Sequence, residues 1–175
     1  EYSGLNMLAL GILHEPLIRW VPDPIRVLAQ THVFTPQRPA ASGQPATVGT
    51  PDSVQVLSEL PNGARGVYHL SGAIHHGPDI QIHLYGSEGV IKYEFAPTDQ
   101  LMAARKDDDT LREIIVPADK TGGWRVEQDF IDAIRGLKSI EFTDFATGVR
   151  YMEFTEAVSR SAASGSAVDL PLSLD

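Results

Sequence analysis

The chain contains no cysteine. That excludes disulfides, thiolate catalysis and cysteine-ligated zinc, and it fits a reducing compartment, so a cytoplasmic location is expected. No run reaches the roughly 20 apolar residues needed to span a bilayer, and no basic-then-apolar leader opens the sequence. Positive charge is also scarce: 14 Lys and Arg stand against 23 Asp and Glu, a formal net charge of -9. Phosphate backbones need a basic face, so nucleic acid is not an expected partner, and neither is a membrane. Phosphate-cradling and serine-nucleophile motifs are missing too. Gly86-Ser87-Glu88-Gly89 joins two strands rather than a strand to a helix, and Ser164-Gly165-Ser166 has no nucleophile-elbow context.

What is present is an ordinary soluble composition, with 42% hydrophobic and 21% charged residues over 175 positions. That is enough for one domain with a core of its own. The chain does not begin with Met, and Glu1-Tyr2-Ser3-Gly4 reads like the interior of a longer polypeptide.

The segment Ser53–Phe95 carries the strongest pattern. Four runs rich in Val, Ile, Tyr and Phe are separated by turn residues, which predicts an antiparallel meander. Asn62-Gly63 predicts a type I′ hairpin, and Gly86 and Gly89 bracket a second tight connection. Upstream, Asn6 to Val21 reads as an apolar helix kinked or restarted at Pro16 and ended by Pro22-Asp23-Pro24. Ile25–Phe34 reads as a strand. The stretch from Pro36 to Pro51 holds four prolines and reads as a long loop or lid.

Further strands are expected at Gln100–Arg105 and Leu111–Val116. The tip Lys106-Asp107-Asp108-Asp109 between them lacks the spacing of a calcium loop. A helix over Trp124–Leu137 should place Phe130, Ile131, Ile134 and Leu137 on one face, with Thr121 as its cap. A second helix of about 20 residues starts at Thr143-Asp144 and ends near Gly165. Ala167–Pro171 closes the chain as an edge strand. The fold class is therefore α+β, an open and mainly antiparallel sheet with helices packed on one face.

Six histidines are the only metal or acid–base resource: His14, His32, His69, His75, His76 and His83. Their spacing matches no metal-binding pattern, and no metal site is expected. Asp129 and Asp132 are most simply a solvated helix face.

Taken in order, several short motifs resemble the C-terminal domain of the Gfo/Idh/MocA oxidoreductases. They are Leu60-Pro-Asn-Gly-Ala-x-Gly, Ile82-x-Leu-Tyr-Gly-Ser-Glu-Gly, Phe130-Ile-Asp-Ala-Ile-Arg-Gly, Thr143-Asp-Phe-Ala-Thr-Gly-Val-Arg and Val168-x-Leu-Pro. The resemblance implies a nicotinamide-dependent enzyme acting on a sugar, polyol or related hydroxyl compound. It implies a Rossmann domain upstream, supplying both the NAD or NADP site and a catalytic Lys from a Glu-Lys-Pro motif, with no cofactor held by the present chain. It also implies self-association through the open sheet face.

The family's first helix usually carries Asp-x-Gly-x-His-x-x-Asp. Anchored on Gly11 and Arg19-Trp20, those polar positions fall on Ala9, Leu13 and Pro16, all apolar. Asn6, His14 and Glu15 are the remaining candidates to face substrate, although one residue along a helix is a turn of about 100°. No catalytic residue is assigned. A relative that has lost catalysis and serves as a binding or scaffolding module is the alternative.

Overall fold

The computed structural model describes residues 7–95, 98–140 and 144–173. They form two compact units. The first comprises Glu1–Ile74 with Asp132–Asp175, and the second His75–Ile131.

The first unit is built on a four-stranded antiparallel sheet in the order β10-β1-β4-β5. Its strands are β1 (Arg26–His32), β4 (Ser53–Glu59), β5 (Arg65–Ser71) and β10 (Val168–Asp169), with Leu28 opposite Leu57 and Leu57 opposite Val67. Period-two alternation divides the residues between two faces. Val27, Ala29, Val54, Val56 and Tyr68 point inward. Leu28, Leu57 and Val67 point outward and stay 41, 57 and 75% exposed.

The inner face is covered by α1 (Leu10–Leu17) and α3 (Phe145–Ser164). Asp144 caps α3 by accepting the Thr147 amide at 2.8 Å, and Gly165, at φ 66°, ends it. Phe154, Ala157 and Val158 of α3 meet Met7, Leu10, Val27, Val54 and Val56 in the core. Thr143 lies outside the described residues.

The short strand β10 reaches only Arg26 and Val27 of β1. Where it stops, the buried Ser161 of α3 takes over: its Oγ accepts the Ala29 amide at 2.9 Å and donates to the Ser166 carbonyl at 2.7 Å. A side chain thus completes the sheet edge, which otherwise would leave a buried N–H unpaired.

The second unit holds a second four-stranded antiparallel sheet, β6 (Gln81–Gly86), β7 (Gly89–Glu94), β8 (Gln100–Arg105) and β9 (Arg112–Glu113). The helix α2 (Val126–Ile134) begins in this unit and runs across the boundary. Rows such as Ile82–Tyr93–Leu101 and Leu84–Ile91–Ala103 give the sheet one apolar face. No described residue of this unit is fully buried.

Both sheets are antiparallel and the fold is α+β as expected, with four corrections. The meander is divided: β4 and β5 belong to one sheet and β6 and β7 to the other. The break falls where Gly77-Pro78 and His76, at φ 58°, interrupt extended backbone.

The hairpin at Asn62-Gly63 is not type I′, because only Gly63 has positive φ (83°). Pro61 presets a turn closed by the Gly63 amide on the Leu60 carbonyl at 2.9 Å, giving a three-residue loop. The expected loop over Pro36–Pro51 contains a hairpin, β2 (Gln37–Pro39) with β3 (Pro45–Thr47). Its base is fastened by the buried Asp52, which accepts the Phe34 and Thr35 amides at 2.7 and 2.9 Å and pairs with Arg38 at 3.2 Å. These bonds, the Phe34 amide foremost, hold the Asp52 carboxyl below the usual carboxylate range.

Finally, Thr121 caps no helix. Its hydroxyl donates to the Ala118 carbonyl, and α2 starts only at Val126.

No helix among the described residues is long and apolar enough to cross a membrane. Replacing Ser161 with Ala is expected to cost about 1–3 kcal/mol, because the Ala29 amide and Ser166 carbonyl lose their buried partner. Chemical denaturation of the variant measures it, and an unchanged midpoint would show that water replaces the hydroxyl.

Candidate functional site

Helix α1 holds two of the three residues singled out by sequence. It is short because Pro16, the seventh of its eight residues, can sit only near an end, and Pro22 follows. It is entered through a 3₁₀ turn, Met7–Ala9, in which Leu8 and Ala9 both take the left-handed conformation (φ 50° and 58°). For residues with a Cβ this costs about 1–2 kcal/mol each. The buried anchors Met7 and Leu10 on either side hold the turn in place. Leu8 also lies close over Gly72, where an added Cβ would come within 3.3 Å of its Cδ2.

His14 faces inward and is 0% exposed. Its imidazole stacks on Phe154 of α3 with centroids 3.7 Å apart and planes at 13°. Its Nδ1 lies 3.0 Å from the hydroxyl of Tyr68 on β5, a contact spanning 54 residues of sequence. Nε2 is buried with no hydrogen-bond partner.

Burial, helped by the positive Arg150, lowers the His14 pKa from 6.5 to about 4. Burial, helped by the negative Asp23, pushes the Tyr68 phenol well above its usual value. Arg150 and Asp23 pair with each other at 3.0 Å. The histidine is therefore neutral at pH 7 and the tyrosine protonated.

Glu15 is half-buried and takes the guanidinium of Arg19 one turn on, whose Nε lies 3.1 Å away. Asn6 lies outside the described residues. Leu13 and Pro16, three residues apart, share a partly exposed side of α1 turned away from His14, and Ala9, exposed, lies in the turn before the helix. His14, a candidate to face substrate by sequence, instead has its imidazole in the core.

Sequence reasoning missed Tyr68 as the partner of His14. The alternation of β5 could have assigned it to the inner face, but not to one helix in particular.

Within the first unit, His32 and His69 do not join His14: His32 packs edge-on against Phe34 at 4.5 Å, and His69 lies on the exposed sheet face. In the second unit, His83 Nδ1 lies 3.2 Å from the Tyr85 hydroxyl. Among the described residues no three His, Asp or Glu side chains are grouped to hold a metal ion. A groove of about 400 Å³ in the first unit is lined by Gln30, His32, Phe34, Ser53 and Gln55 among others, and by no residue of α1.

An antiparallel sheet with helices on one face, entered through a short helix with Arg19-Trp20 in the turn after it, defines an α+β domain of a recognisable kind. The family model described as the GFO/IDH/MocA C-terminal domain matches residues 1–92. The chain belongs to the Gfo/Idh/MocA family, within its C-terminal domain.

Solved structures share the fold. Levoglucosan dehydrogenase in complex with NADH and L-sorbose superposes with a TM-score of 0.77 at 24% identity, over 93% of this chain and 48% of that one. An NAD binding oxidoreductase from Klebsiella pneumoniae gives 0.73 at 17%, over 91% and 48%. The WlbA dehydrogenase from Bordetella pertussis, in complex with NADH and UDP-GlcNAcA, gives 0.71 at 18%, over 97% and 47%. The chain thus spans about half the length of these structures. No curated protein sequence matches it.

The His14 environment has a measurable consequence. Unfolded, the imidazole titrates near 6.5; folded, near 4. Between those values only the unfolded chain binds the extra proton, so stability is complete above pH 6.5 and is lost as the pH falls toward 4. The loss attributable to His14 is roughly 3 kcal/mol. Denaturant midpoints compared at pH 7 and pH 4.5 should differ less in His14→Gln than in the wild type, and equal differences would refute the assignment.

Proposed function

We propose that this chain is the substrate-binding and oligomerisation half of an NAD(P)-dependent oxidoreductase acting on a sugar, polyol or related hydroxyl compound in the cytoplasm. The observation that carries the reading is family membership together with a fold that covers about half of structures solved with NADH. A Rossmann domain upstream would bind the nucleotide, which takes up hydride from the carbinol carbon, and would provide the Lys that receives the hydroxyl proton.

The part left to this chain is to hold the substrate. Glu15 on α1 is the polar group assigned to its hydroxyls, with Asn6, outside the described residues, as a second candidate by sequence. His14, enclosed by Phe154 and Tyr68, contributes by fixing the angle of α1. The apolar Ala9, Leu13 and Pro16 favour a second reading, a family member that binds without catalysing.

The intact mass of the native polypeptide, with analysis of co-purifying nucleotide, tests the first reading. About double the present mass with NAD(P) bound supports it. A native chain starting near Glu1 without nucleotide overturns it. The second reading is favoured if the upstream sequence lacks Glu-Lys-Pro.

Assembly is the other half of the proposal. The outward row Leu28–Leu57–Val67 is an apolar band bordered by Arg26–Glu59–Arg65 and Gln30–Gln55–His69, the pattern of a face that meets a copy of itself. The chain should self-associate at micromolar concentration by light scattering, and Leu57→Asp should return it to a monomer. A wild-type monomer under those conditions would count against the proposal.

A further inference from the structure

Beyond the apolar band, the outward residues of β1 and β4 turn polar. The register sets Gln30 opposite Gln55 and His32 opposite Ser53, and the two-residue period puts all four on the same face. Gln55 Nε2 donates to Ser53 Oγ at 2.8 Å, which orients that amide. Among the described residues, the side chains of Gln30 and His32 make no hydrogen bond. Phe34 stands next along the chain, 62% exposed, with its ring edge-on to His32. Its backbone is fixed by the bond from its amide to the buried Asp52, so the ring is held in place while it faces water.

These five side chains line the groove of about 400 Å³ on the first unit, together with Ala162 and Gly165 from the end of α3. Every lining residue belongs to the first unit, so the walls do not depend on the second. No Asp, Glu, Lys or Arg lines the groove, and a phosphate or carboxylate would find no counter-charge there. An apolar ligand would leave the amides without partners. Amide, hydroxyl and imidazole groups between them donate and accept, which matches a hydroxyl, since it does both. The negative face of a phenyl ring suits the weakly positive C–H groups on the face of a sugar ring. The volume lies in the range of small-molecule sites.

We propose that this groove binds one neutral sugar unit, with its C–H face against Phe34 and its hydroxyls on Gln30, His32 and Gln55. No residue of α1 lines it, so the site stands whether or not α1 meets the substrate of an oxidoreductase. Gln30 and Gln55 border the band Leu28–Leu57–Val67, where an interface between copies keeps a polar, solvent-accessible rim. Self-association through the band and sugar binding in the groove are therefore compatible.

The test is saturation-transfer difference NMR on the full-length protein with D-glucose, D-galactose, D-mannose, D-xylose and myo-inositol, each at millimolar concentration. The site predicts transfer to the ring protons of at least one of them. Phe34→Ala and the double variant Gln30→Ala/Gln55→Ala should each weaken its binding about fivefold or more. Phe34→Tyr, which keeps the ring, should bind as the wild type does. All three side chains are exposed, so the variants should fold; thermal melting checks this, and if one variant melts early the other carries the comparison. No transfer to any of the five compounds overturns the proposal, and is the result expected if the second unit, an upstream domain or a second copy covers the groove. Transfer that survives both groove variants overturns it too, because the sugar then sits elsewhere. So does tighter binding of glucose 6-phosphate than of glucose, which would require a cation that the groove lacks.

Discussion

The first unit depends on one packing event, the seating of α3 on the inner face of its sheet. Phe154 is at its centre, 1% exposed and in contact with a strand residue and a helix residue at once. Tyr68 lies 5.2 Å away, and the His14 ring is stacked directly upon it. Everything α1 can do follows from that stack. The helix is only two turns long and its entry is strained, so its direction comes from what it leans on rather than from its own propensity.

This explains a division of labour along α1. The inward side is spent on structure, with His14 neutral and enclosed. The partly exposed side carries Leu13 and Pro16, both apolar. The imidazole on the inward side is held in a structural setting. Desolvation keeps it uncharged at neutral pH, and its second nitrogen meets no partner. The second unit shows the complementary condition. Its sheet has an apolar face, but none of its described residues is fully buried.

Much of this was legible in the residues and some was not. Strands β1, β4, β6, β7 and β8 follow from alternation and β-branched content, and α3 from a cap at Asp144 and a stop at Gly165. Each of those signals is local. The misreadings share a cause. Asn62-Gly63 signalled a hairpin correctly, but Pro61 decided its type. The Pro-rich stretch after Thr35 hid a hairpin because its anchor, Asp52, is contributed from outside it. The division of the meander into two sheets depends on pairings between distant strands that no window of sequence contains. At α1, Asn6, His14 and Glu15 were singled out by resemblance alone, and helix geometry did not reveal that His14 turns into the core. Its partners Tyr68 and Phe154, 54 and 140 positions away, were not identifiable without the fold.

The first unit is made of two pieces of chain, with the second unit inserted between them. On the ribosome, β1, β4 and β5 emerge before α3 has been made, and some seventy residues separate Ser71 from Phe145. At about 5–20 residues per second, the nascent sheet waits roughly four to fifteen seconds with Val27, Val54, Val56 and Tyr68 uncovered. A chaperone that shields apolar strands would find its substrate in that interval. Pauses in translation placed between Ser71 and Phe145 would lengthen the exposure.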